Sequence, residues 1–125
     1  MDLLTKFTIP GIVFLSTLTF GVWLSKLCRP YNGILFNIHK LMALGAVIIT
    51  TMRIYDIFKV VETPTLMIAL IVLAALSVVS LFTTGAFMSI GKFNYEIILA
   101  IHRISPILAT ISMAAVIYLL TGKNI

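Results

Sequence analysis

The sequence predicts an all-α protein, an antiparallel four-helix transmembrane bundle built from two similar helical hairpins. Three observations lead there. Of 125 residues, 61% are hydrophobic and only 10% charged, with a mean hydropathy of +1.16. The apolar residues gather into four runs, each close to the ~20 residues that an α-helix needs to cross the hydrocarbon core. Short segments of turn-forming and charged residues separate the runs. Soluble domains carry roughly 25% charged residues, and one this small has too high a surface-to-volume ratio to hide so much apolar surface. Lipid is the solvent that fits.

The elements follow in order along a single transmembrane domain, 1–125. The first span is expected over 8–27 and ends at Lys26, Arg29 and Pro30. Met1–Phe7 carries one acid and one base, and no small-residue cleavage site follows the first apolar run. That run is therefore read as a span and not as a signal peptide. Tyr31, Asn32 and Gly33 supply turn chemistry, since Asn and Gly tolerate left-handed backbone, and the second span follows over 34–56. Thr63 is the expected N-cap of the third span, 65–88, with Pro64 at its first helical position. Ser89, Gly91 and Lys92 lie beyond its end. Asn94 is placed to cap the fourth span, 95–121, and Gly122 to stop it. Short connections make neighbouring helices antiparallel.

The formal net charge is +5, but the bases stand singly at the ends of apolar runs. That is the pattern of bilayer anchors, and no nucleic-acid partner is expected. With both termini on one side, the first and third loops share the other. Lys26, Arg29, Lys40, Lys92 and Arg103 fall towards the loop side; Lys6, Arg53, Lys59 and Lys123 fall towards the terminal side. So even a balance of Lys and Arg leaves the orientation open. Arg53 and Asp56 are spaced for an i,i+3 ion pair. Trp23, Tyr55 and Tyr118 suit the aromatic belts. The single cysteine, Cys28, allows no intrachain disulfide, and the Cys-x-x-Cys-His of covalent haem attachment is absent. No nucleophile stands with a base and an acid, so hydrolase chemistry is unsupported.

His39 and His102 are the only histidines. Each lies one and a half to two turns inside a span, and those two spans run in the same direction. Their surroundings repeat: Ile38-His39-Lys40-Leu41 and Ile101-His102-Arg103-Ile104 share the order Ile, His, base, aliphatic, 63 residues apart. The two hairpins therefore read as copies of one unit. An imidazole inside a span is costly and usually faces the protein interior. Neutral imidazole is a good axial ligand for haem iron, which makes His39 and His102 candidate metal ligands. Small residues make room for a flat ring. Ala43 and Ala46 follow His39 by about a turn or two, as Pro106 and Ala109 follow His102, and Ala74, Ser77, Ser80 and Thr84 line up along the third span. Lys40 and Arg103 can snorkel outward to meet propionates near the membrane surface. Met42 is read as packing. The other readings stay open: histidines that hydrogen-bond within the protein, or a metal ion without porphyrin, which would need further ligands.

On the Ile38-His39-Lys40 and Ile101-His102-Arg103 motifs, each in a long apolar helix, the chain resembles the small four-helix membrane b-type cytochromes, broadly of the cytochrome b561-like and respiratory anchor-subunit style. The resemblance implies non-covalent haem b held by His39 and His102 and electron transfer as the activity. It also implies a quinone or a redox protein as partner, with a homodimer as a further option, in a prokaryotic cell membrane. The b561-type bundles use two histidine pairs for two haems, whereas this chain has one pair. One bis-histidine haem, or one haem per histidine with an open iron face, are both compatible with that count; the second would favour gas binding, sensing or reductase chemistry. The competing functions are a small transporter or proton-relay bundle and a cofactor-free membrane anchor. Small exporters depend on a carboxylate deep in the membrane, and Asp2, Asp56, Glu62 and Glu96 all fall near span ends.

Overall fold

The computed structural model describes residues 3–27, 33–91 and 94–121, with side chains from residue 5 onward. Cys28, Arg29, Pro30, Tyr31, Asn32, Lys92, Gly122 and Lys123 lie outside the described residues, so the expectations placed on them go no further. Four α-helices and no strand occur among the described residues: α1 (Leu3–Lys26), α2 (Gly33–Phe58), α3 (Thr65–Ile90) and α4 (Tyr95–Thr121). At 1.5 Å rise per residue, helices of 24 to 27 residues are ~36–40 Å long, enough for a hydrocarbon core of ~30 Å. By length and composition all four can cross a membrane, consistent with an integral membrane protein.

The helices form two compact units, an α1–α2 hairpin and an α3–α4 hairpin. In the first, Thr17, Leu24, Ala46 and Ile57 are buried. In the second, Met67, Ala74, Ser77, Thr84 and Met88 of α3 are buried, as are Ser105, Ala109, Ser112 and Val116 of α4. The buried stripe is narrow and rich in small residues, which lets two helix backbones approach closely. Large apolar side chains point away from it. Leu41, Ile48, Ile104 and Ile111 are all half or more exposed, as are Trp23, Tyr55 and Tyr118, which suits surfaces whose solvent is lipid.

Helix ends show where local chemistry acts. The Asn94 side-chain oxygen accepts from the backbone N–H of Glu96 at 3.0 Å and of Ile97 at 3.3 Å, so the expected cap is present. Asn94→Ala should cost about 1 kcal/mol, read as a lower unfolding midpoint in detergent, while Asn94→Asp keeps the acceptor and should hold it. At the end of α3, Gly91 takes φ 75°, a left-handed conformation, and its N–H bonds the Phe87 carbonyl at 3.0 Å.

Helix α1 runs from Leu3 among the described residues, so it extends N-terminal to the expected span 8–27. Lys6 lowers the hydropathy of that extension but not its helicity, because a long basic side chain can carry its charge outward. Two expectations need correcting. Thr63 does not cap α3: Pro64 is the cap residue, with ψ 158° and no side-chain cap bond. Its carbonyl accepts from Met67 at 3.0 Å and Ile68 at 3.2 Å, so Pro64 stands one position outside the helix. Lastly, Asp56 pairs with Lys59 at 3.6 Å and not with Arg53. An acid N-terminal to its base is the better order on a helix, and the Lys59 ammonium also sits 4.4 Å from the Tyr55 ring centre.

Candidate functional site

Each hairpin holds one histidine in the same manner. His39 is the seventh residue of α2 and His102 the eighth of α4, about 10 Å along each helix at 1.5 Å per residue. Both imidazoles are half-buried, and both turn towards the other helix of their own hairpin.

In the first hairpin the His39 Nδ1 lies 2.9 Å from the Thr17 backbone carbonyl. A carbonyl can only accept, so Nδ1 is the donor and the lone pair of the neutral ring is on Nε2. The ring can come this close because α1 has Gly21 beside it. A Cβ on Gly21 would stand 2.9 Å from the His39 Cε1, a distance that forces a shift. A side chain at 21 would thus require the imidazole to shift.

The second hairpin repeats this with a hydroxyl interposed. The His102 Nδ1 lies 2.8 Å from the Thr84 Oγ1. That hydroxyl has a single hydrogen, and the Ser80 carbonyl at 2.7 Å is placed to accept it. With that hydrogen given to Ser80, the oxygen accepts from His102 Nδ1–H and the lone pair falls on Nε2; with it turned to Nδ1, the tautomer reverses. Gly85 faces His102 as Gly21 faces His39, more loosely, since a Cβ there would meet Cε1 at an ordinary 3.5 Å. One turn along, the Ser80 and Ser105 hydroxyls bond at 3.0 Å, and Ser105 donates to the Ile101 carbonyl at 2.8 Å.

The repeat seen in the sequence around the histidines therefore extends to the helices that face them. In α1 and α3, Ser16, Thr19, Gly21 and Ser25 correspond to Ser80, Thr83, Gly85 and Ser89, 64 residues on. In α2 and α4, Ala46, Ile48, Ile54 and Tyr55 correspond to Ala109, Ile111, Ile117 and Tyr118, 63 residues on. Exposure follows the same register. Ala46 and Ala109 are buried, and Tyr55 and Tyr118 are exposed. A duplicated hairpin whose connection differs by one residue accounts for both offsets.

The remaining candidates fall into two groups. Lys40 and Arg103 are exposed, as snorkelling bases should be. Ala43 and Pro106 are half-buried, whereas Ala46 and Ala109 are buried within their own hairpins, at 5% and 6% exposure. Ala74, Ser77 and Thr84 are buried inside the α3–α4 hairpin. Thr84 was singled out for its size, but its hydroxyl touches the imidazole. Gly21, Gly85 and the Thr17 carbonyl went unseen in the sequence. The glycines were open to detection by extending the repeat one helix back; a backbone acceptor leaves no sequence signal.

Chemically, each site offers an imidazole whose Nδ1 lies beside an oxygen, which leaves the lone pair to Nε2 when that oxygen accepts. A histidine that ligates a metal almost always gives its other N–H to such an acceptor, which fixes the tautomer and raises the basicity of the ligating nitrogen. A haem iron asks the protein only for axial ligands, and imidazole nitrogen is one that serves. By contrast, no group of three or more His, Cys, Asp or Glu converges among the described residues, so a metal bound by side chains alone finds no support there. Compared with protein-family models, with known proteins and with solved structures, the chain matches none.

Proposed function

We propose that this protein is a membrane b-type cytochrome that carries electrons, its haem iron taking axial nitrogens from His39 and His102. One observation supports the reading most. Both histidines, at equivalent positions of a duplicated hairpin, set Nδ1 within hydrogen-bond distance of an oxygen on the facing helix, a placement that suits ligation through Nε2. When bound, haem supplies a one-electron couple. The chain's part is to orient two imidazoles, to bury them among apolar helices, and to offer Lys40 and Arg103 to the propionates. A quinol or a redox protein is the proposed electron partner, in a prokaryotic cell membrane.

The test is an absorption spectrum of detergent-purified protein, oxidised and then reduced with dithionite. A Soret band with sharp reduced α and β bands is expected, the signature of low-spin haem with two nitrogen ligands. A colourless protein from cells supplied with haem precursor would refute the reading. The haem-to-protein ratio separates its two forms, one bis-histidine haem per chain or one haem on each histidine.

A further inference from the structure

We infer that Gly21 and Thr84 are positioning residues, which hold the two histidines in one tautomer by two different means. The inference deepens the proposed function, since it concerns how the chain prepares Nε2 as the ligating nitrogen, but it stands on contacts within each hairpin.

At His39 the means is backbone and space. The Thr17 carbonyl accepts at 2.9 Å, and no substitution at position 17 removes it. A methyl group at Gly21 would stand 2.9 Å from Cε1, 3.4 Å from Nδ1 and 3.6 Å from Nε2, so the ring must shift to admit it. The bond from Nδ1 to Thr17 is the contact such a shift would test. At His102 the means is a side chain. The Ser80 carbonyl at 2.7 Å and the Leu81 carbonyl at 3.2 Å stand ready to take the Thr84 hydroxyl hydrogen, which leaves the oxygen, 2.8 Å from Nδ1, to accept from Nδ1–H. Gly85 leaves slack, with 3.5 Å to Cε1. The lock on His39 is thus steric, and the lock on His102 is one replaceable oxygen.

The two locks fail under different substitutions, and each failure should reach one histidine only. Thr84→Val is close to isosteric and removes the acceptor. It should release the tautomer of His102 and leave His39 unchanged, while Thr84→Ser, which restores an oxygen, should behave as wild type. Gly21→Ala should disturb His39 and leave His102 unchanged. The measurement is 15N NMR of imidazole-labelled protein in detergent without haem, where protonated and unprotonated ring nitrogens are far apart in shift. Wild type should show Nδ1–H and a bare Nε2 at both histidines. An Nε2–H tautomer at either residue in wild type would overturn the inference, as would a Thr84→Val spectrum identical to wild type. Circular dichroism on the same samples identifies a variant that has lost its helices, and Thr84→Ser then still decides whether an oxygen at 84 matters. If the tautomers are as expected but the purified protein binds no haem, the proposed function falls and the positioning roles remain.

Discussion

With one haem iron held by both histidines, as proposed, His39→Ala and His102→Ala should each remove the low-spin haem spectrum. An axial nitrogen is lost in either variant, and losing even a partner of a ligating histidine typically costs 10- to 100-fold in metal affinity; losing the ligand itself should exceed that. The size of the loss reports the ligation. With one bis-histidine haem, either substitution leaves a single axial ligand, so the reduced α band collapses in both variants and the haem that remains is high-spin. With one haem per histidine, each iron has an open face and is high-spin from the start, and each variant keeps half of that haem with its spectrum unaltered. Added imidazole should restore part of the low-spin signal to a folded variant by occupying the vacated position. Unchanged spectra in both alanine variants would end the ligand assignment and return the histidines to polar packing.

The fold was legible for a physical reason. In lipid a backbone must satisfy its own hydrogen bonds, so an apolar run of sufficient length has few structures open to it, and four such runs predict four helices. The fourth helix starts where expected, because Asn94 carries its capping signal in its own side chain. Positions fixed by turn geometry were read less well. The residue before a proline is biased to extended backbone, yet it is Pro64 itself that stays extended at the boundary. The imidazoles were legible because polar rings in apolar helices are costly, but what holds them was not. A backbone carbonyl at Thr17 has no sequence trace, and the demand on Gly21 exists only because α2 brings a ring against it. Small residues were the most ambiguous signal, since a gap for a cofactor and a close helix contact both call for alanine.

Ala46 and Ala109 resolve that ambiguity by experiment. They occupy the same register in the two hairpins and are 5% and 6% exposed, and in each hairpin the atoms covering them belong to the chain itself. Ala46→Leu or Ala109→Leu adds three carbons to a closed contact, and overpacking of this kind costs typically about 1–3 kcal/mol. Each should lower the unfolding midpoint in detergent by a comparable amount, because the duplicated unit presents the same contact twice. Leu44→Ala, at a 46% exposed position two residues from Ala46, should change the midpoint little. If leucine at 46 or 109 instead leaves the midpoint unchanged and expels haem, the small residues serve the cofactor first, and the hairpin contact tolerates bulk that the buried stripe gives no room for. A lowered midpoint with haem retained assigns both alanines to helix packing, so that what distinguishes the site is the imidazole with its glycine and its oxygen, twice over.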